Sequence, residues 1–93
     1  MGKKPFLFNK IAGVYGIYFN WQVGNYRSIL SNLEDELDFS AYQNAIDIGC
    51  GTGALCKVLQ EYGLEVTGLD SAQAMLAIAE KKCGKACRCF VRL

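Results

Sequence analysis

The chain has 93 residues, of which 52% are hydrophobic and 20% charged, with ten Lys and Arg against nine Asp and Glu. This length and composition predict that the 93 residues form one globular domain at most, and the composition is not that of a disordered chain. The net charge is +1 and the basic residues form no stripe, so nothing indicates nucleic-acid binding. The five cysteines, in a chain without histidine, favour a reduced, cytoplasmic setting over a disulfide framework.

Residues 1–40 are predicted to form an N-terminal helical segment. Apolar residues recur at helical spacing over residues 8–19 and again over residues 26–37, which predicts N-terminal helices, with Gly13 and Gly16 weakening the first. The apolar run in this segment is too short to span a bilayer, so we predict no membrane contact. Around residue 40 the helical period is lost, which indicates a loop.

From residue 45 onward, strands and helices are predicted to alternate. Residues 45–48 are short and apolar, as in a buried parallel strand, and a glycine-rich turn follows. A helical stripe over residues 55–62 ends at Gly63, which suits a left-handed helix end. A second strand over residues 64–69 ends at Asp70, Ser71 is predicted to cap a third helix, and residues 89–93 resemble the start of a third strand.

This alternation predicts an α/β fold, a Rossmann-like doubly wound parallel sheet with right-handed crossovers. In such sheets ligands bind at the carboxyl ends of the strands. Gly49, Gly51 and Gly53 follow the first strand, where glycine permits a tight turn and a close ligand approach, and Asp70 ends the neighbouring strand, where an acid can bind ribose hydroxyls.

Two cofactors fit these features. Gly49, Gly51 and Ala54 satisfy a loose dinucleotide pattern, and Asp70 follows at a spacing that suits NAD. Asp47, two residues before the turn, favours the other cofactor, because its carboxylate would repel a pyrophosphate. S-adenosylmethionine instead brings a cationic ammonium and sulfonium, which a nearby carboxylate attracts.

Residues 45–82 resemble the cofactor-binding half of class I S-adenosylmethionine-dependent methyltransferases. The stretch DIGCGTG matches the family's first motif, acid-x-Gly-x-Gly-x-Gly, and VTGLDSAQAML matches its second. The upstream FNKIAGVYGIYF is similar to the N-terminal helix of small-molecule members, except that Gly16 replaces the usual Asp. The resemblance implies methyl transfer from S-adenosylmethionine to a small-molecule acceptor by in-line displacement.

The resemblance also implies roles for individual residues. Asp47 and Gly49 would contact the amino-acid end of the cofactor, while Cys50 and Gly51 would offer backbone groups. Asp70 would bind the ribose hydroxyls. Ser71 and Met75 would border the adenine, and Tyr15 would close over the methionine moiety. No catalytic residue can be assigned from these motifs.

The cysteines carry no predicted chemistry. Cys83, Cys87 and Cys89 have a spacing unlike that of a zinc site and there is no histidine, so no metal is predicted. Cys50 lies at a helix N-terminus, a position that can lower the pKa of a thiol, but the sequence offers no base to work with it.

The resemblance implies a seven-stranded sheet for the complete domain. Residues 1–93 are therefore interpreted as part of a methyltransferase domain, truncated after the start of a third strand. We therefore expect an open sheet edge that favours self-association, and little activity from these residues alone. Two alternatives stay open from the sequence. One is a fragment of an NAD-dependent oxidoreductase, and the other is a non-catalytic module that binds a protein partner through its sheet edge.

Overall fold

A computed structural model describes residues 3–83 and 89–92 of the chain. Its elements follow the order α1 Lys3–Leu33, a short 3-10 turn at Phe39–Ala41, β1 Asn44–Ile48, α2 Ala54–Glu61, β2 Glu65–Asp70, α3 Gln73–Cys83 and β3 Cys89–Arg92. The strand and helix alternation predicted from residue 45 onward is confirmed. Over the residues that the structure describes, no helix has the length and hydropathy needed to cross a bilayer.

The N-terminal segment forms one long helix, α1, so the prediction of separate helices is wrong. Gly13 and Gly16 lie within α1 without ending it, and Leu37 lies beyond its end. Each interior glycine costs about 1 kcal/mol of helix propensity. Packing outweighs this cost, because α1 buries one stripe of large side chains in the core, namely Phe19, Val23 and Leu30.

Two side-chain contacts orient α1 against the other helices. The guanidinium of Arg27 donates to the carboxylate of Glu61 at the end of α2, with an Nε–Oε1 distance of 2.9 Å, and this pairing lowers the pKa of Glu61. The pair is exposed, so its contribution to stability is small. At Gly16 the missing side chain lets Lys82 of α3 approach, because a Cβ there would lie 2.9 Å from the Lys82 Nζ.

The three strands form a parallel sheet in the order β1-β2-β3. The register places Asp47 beside Gly68 and Gly68 beside Phe90, on the face that the helices cover. On the opposite face of β1, Ile46 and Ile48 are 67% and 74% exposed. The helix-covered face therefore carries the core, and its strand ends lie next to the glycine turn.

Gly68 shows how closely the layers pack. A Cβ at Gly68 would lie 2.7 Å from the ring of Phe90 and 2.9 Å from the Sγ of Cys50, so the aromatic ring and the thiol rest directly on the backbone of β2. Cys56 and Val58 of α2, both 0% exposed, complete the same layer. This packing holds the end of β2 firmly beneath the glycine turn.

Gly24→Ala should stabilise the protein by about 0.5–1 kcal/mol. Gly24 is exposed within α1, and a Cβ at this position would meet nothing within 4 Å, so alanine adds helix propensity without a clash. The measurement is the free energy of unfolding in urea. Gly16→Ala is the matched comparison and should gain less, because Lys82 must move aside. A lower stability for Gly24→Ala would contradict the continuity of α1.

Candidate functional site

The turn between β1 and α2 is built from glycines in a left-handed conformation. Gly49, Gly51 and Gly53 have φ values of +75°, +56° and +83°, which side chains rarely tolerate, and this explains why the turn needs three of them. At Gly49 and Gly51 an added Cβ would meet nothing within 4 Å. The turn therefore presents bare backbone towards open space, as a closely approaching ligand requires.

The turn is anchored to the end of β2 by its own N–H groups. The N–H groups of Gly49 and Cys50 both donate to the carbonyl of Leu69, at 2.6 and 2.8 Å, and the N–H of Gly51 donates to Asp70 Oδ2 at 2.9 Å. The N–H of Cys50 is thus engaged inside the protein. The contact of the Cys50 backbone with the cofactor stays a prediction. The turn is thus preorganised rather than waiting for a ligand to order it.

Asp70 links the turn to the start of α3. Its second oxygen, Oδ1, accepts from the N–H of Ala72 at 2.8 Å. The bond from Ala72 is the main cause of the lowered pKa of Asp70, and the bond from Gly51 adds to it. Ala72 occupies the cap position, because its carbonyl accepts the N–H of Leu76, so the prediction that Ser71 caps α3 is wrong. A carboxylate has about four acceptor sites, so Asp70 keeps capacity for ligand hydroxyls.

Asp47 lies half-buried on β1, facing α2. Its Oδ2 is 3.5 Å from the Sγ of Cys56, which donates to it. Burial raises the pKa of Asp47 and the charge of Asp70 raises it further, while the bond from Cys56 opposes both. Among the described residues, the interactions that shift this carboxyl group come from a thiol and an acid rather than from a cation. The carboxylates of Asp47 and Asp70 therefore lie close enough beside the turn for their charges to interact.

Cys50 is buried within reach of the charges of both acids, and its thiol is not activated. Burial, together with the charges of Asp47 and Asp70, raises the pKa of the Cys50 thiol to about 11. The lowering that a helix N-terminus can produce is therefore not found, and the thiol is protonated at neutral pH. Cys50 fills space against Gly68 instead of offering a nucleophile.

One polar residue of the turn was missed by the sequence analysis. Thr52 is 5% exposed, and its hydroxyl donates to the Oε1 of Gln22 in α1 at 2.9 Å. This bond ties the glycine turn to the N-terminal helix across 30 residues of sequence. The only signal in the sequence was a hydroxyl side chain between two glycines, which does not identify its partner.

Three predicted site residues remain: Ser71, Met75 and Tyr15. Ser71 is exposed directly after Asp70, and Met75 is half-buried in the first turns of α3. Tyr15 belongs to α1, and its side chain lies outside the described residues. The same holds for Cys87. Over residues 3–83 and 89–92, no cluster of His, Cys, Asp or Glu that could hold a metal ion is found.

An open surface depression of about 310 Å³ lies elsewhere on the molecule. It is formed where the end of α1 and the 3-10 turn meet the residue that follows α2, and it is lined by Glu34, Leu37, Asp38, Phe39, Ser40 and Tyr62. The glycine turn precedes α2 and the depression borders its other end. The depression is therefore separate from the carboxylate pair and the turn.

Comparison with known families matches the half of the chain that carries the turn. Residues 45–92, just over half of the chain, match the family described as a methyltransferase domain. The matched range contains the glycine turn, Asp47 and Asp70. The candidate site therefore lies within the range that matches the family.

Individual relatives extend the similarity into α1. The chain is 32% identical over 77 residues to a malonyl-[acyl-carrier protein] O-methyltransferase of Bacillus cytotoxicus, covering 81% of this chain and 27% of that protein. It is 30% identical over 86 residues to a demethylmenaquinone methyltransferase of Tropheryma whipplei, covering 83% and 33%. The chain thus spans about a third or less of the length of these relatives.

A solved structure shares the fold. The crystal structure of a protein from Pyrococcus horikoshii OT3 superposes with a TM-score of 0.53 at 28% sequence identity, covering 71% of this chain and 31% of the other. The parallel sheet with alternating helices is thus common to both proteins.

Proposed function

The chain belongs to the class I S-adenosylmethionine-dependent methyltransferase family, and from this we propose that its glycine turn binds S-adenosylmethionine as the cofactor-binding part of a small-molecule methyltransferase. The observation that carries the proposal is the pair of carboxylates, Asp47 and Asp70, beside a turn whose backbone is bare at Gly49 and Gly51. Such a site suits a ligand that is cationic and approaches the backbone closely.

The residues present fit this cofactor. Its α-ammonium and sulfonium are both cationic, and a half-buried carboxylate such as Asp47 interacts with a cation more strongly than an exposed one would. Asp70 has acceptor capacity for the two ribose hydroxyls beyond the bonds it makes to Gly51 and Ala72. A pyrophosphate at the same place would face Asp47, which argues against NAD.

The chemistry supplied by the cofactor is a methyl group on a sulfonium sulfur, ready for in-line displacement by an O, N or C atom of the acceptor. The residues described here hold and orient the cofactor, and alignment of the two reacting groups accounts for much of the rate in such transfers. A relative named for demethylmenaquinone methylation supports a small-molecule acceptor. A cytoplasmic setting stays a prediction.

Calorimetry with S-adenosylhomocysteine and NAD, side by side on the 93-residue chain, tests the proposal. We expect S-adenosylhomocysteine to bind and NAD to bind at least tenfold more weakly, because the dinucleotide would bring a pyrophosphate to Asp47 whereas S-adenosylhomocysteine can offer it an α-ammonium. Preference for NAD would overturn the proposal. Since the chain spans 27% of the Bacillus relative, we expect binding without methyl transfer from these residues alone.

A further inference from the structure

Cys56 is a buried thiol that contacts Asp47, one of the two acids of the candidate site. It lies in α2, is 0% exposed, and its Sγ is 3.5 Å from Oδ2 of Asp47, within hydrogen-bond distance for sulfur. The contact joins the helix that follows the glycine turn to the strand that precedes it. Cys56 is therefore the residue of α2 that reaches the carboxylate beside the turn.

The surroundings of Asp47 make this contact matter. Burial and the charge of Asp70 both favour the protonated form of the carboxyl group. Cys50, on the turn, is a neutral thiol at ordinary pH. Among the described side chains that act on Asp47, Cys56 is thus the group that opposes protonation, and it does so by donating to one of the two carboxylate oxygens.

We propose that Cys56 is a positioning residue of the cofactor site, whose buried S–H holds Oδ2 of Asp47 towards α2 and leaves Oδ1 for the cationic end of the cofactor. The proposal rests on the proposed function. A carboxylate with one oxygen fixed has less rotational freedom to lose when a cation binds. Cys56 acts on the cofactor site through Asp47, and its burial keeps it from contact with substrate.

Two substitutions at Cys56 and one neighbouring control test this role. Cys56→Ala removes the donor, and Cys56→Ser keeps a donor at the same position. Val58→Ala is the control, because Val58 lies in α2 and is equally buried at 0% exposure, but donates nothing. It therefore reports what a loss of packing in this helix does by itself.

The first readout is the pKa of the Asp47 carboxyl group, followed by ¹³C NMR in the chain without cofactor and assigned by the loss of its signal in Asp47→Asn. Cys56→Ala should raise this pKa, while Cys56→Ser should leave it at or below its original value, and Val58→Ala should leave it unchanged. The second readout is the affinity for S-adenosylhomocysteine as a function of pH. Cys56→Ala should weaken binding about two- to tenfold at neutral pH, because Asp47 loses only the weak thiol donor that holds its Oδ2 and keeps its charge for the cofactor.

The outcomes separate the two proposals. An unshifted Asp47 signal in Cys56→Ala, or an equal shift in Val58→Ala, would overturn the positioning role even if the cofactor binds. Absence of S-adenosylhomocysteine binding by the unaltered chain would overturn the proposed function, and the cofactor-directed part of this proposal with it. A raised pKa in Cys56→Ala with weakened binding, both restored in Cys56→Ser, supports the role.

Discussion

Gly53→Ala is expected to lower the free energy of unfolding by about 2–5 kcal/mol, which for a domain of this size is a large share of the total. Gly53 has a φ of +83°, so alanine pays the left-handed penalty of about 1–2 kcal/mol. Its Cβ would also lie 2.9 Å from the Sγ of Cys83 and 3.1 Å from the Cβ of Ala79. Overpacking of this kind costs about 1–3 kcal/mol more.

Gly63→Ala is the matched control for Gly53→Ala. Gly63 has nearly the same backbone angle, with a φ of +87°, but an added Cβ there would meet nothing within 4 Å. Urea unfolding of both variants separates conformational strain from steric overlap, because Gly63→Ala should lose only about 1–2 kcal/mol. Equal losses in the two variants would show that α3 does not pack against the glycine turn as described.

Asp47→Asn is expected to weaken the affinity for S-adenosylhomocysteine about 10- to 100-fold, the range for loss of a hydrogen bond to a charged group. The fold should not suffer. The pKa of Asp47 is raised in the folded state, mainly by burial, so at neutral pH its ionised form costs stability. As the pH falls through this raised pKa, protonation of Asp47 should contribute stability, whereas Asp70 and Glu61, whose pKa values are lowered, contribute in the opposite direction. Relative to the unaltered protein, Asp47→Asn should lack the Asp47 contribution while melting at an equal or higher temperature at pH 7.

Calorimetry for affinity and thermal melting at several pH values measure both parts of this prediction. Asp35→Asn, a change of the same charge on the exposed turn after α1, is the control and should alter neither. Affinity within twofold of the unaltered chain would show that Asp47 does not contact the cofactor. A lower melting temperature at pH 7 would show that Asp47 has a stabilising structural role instead.

The sequence predicted the second half of the chain well because its signals are local. The change of period at residue 45, the left-handed glycines and the acid at the end of β2 each depend on a few neighbouring residues, and Gly63 adopts the left-handed conformation that its position after a helix predicts. The starts of β1 and β2 each lie one residue from the predicted starts. Local chemistry thus identified both the strands and the turn between them.

Contacts between residues far apart in sequence were not predictable in this way. The bond from Thr52 to Gln22 crosses 30 residues, and the continuity of α1 depends on side chains such as Phe19 that the core buries. The cap of α3 was missed for a different reason: Ser71 and Asp70 are adjacent acceptors, and it is the Asp70 side chain that accepts the N–H of Ala72.

The register of the sheet has a consequence for how the site assembles as the chain folds. Asn44 pairs with Glu65 and Thr67 with Cys89, so each strand pairs with one about 21 or 22 residues away. Closing a loop over such a separation costs less entropy than pairing strands from distant parts of a long chain would. Asp47, the glycine turn and Asp70 are all in place once β1 and β2 have paired, so during synthesis this cradle can form as soon as β2 and Ala72 have left the ribosome.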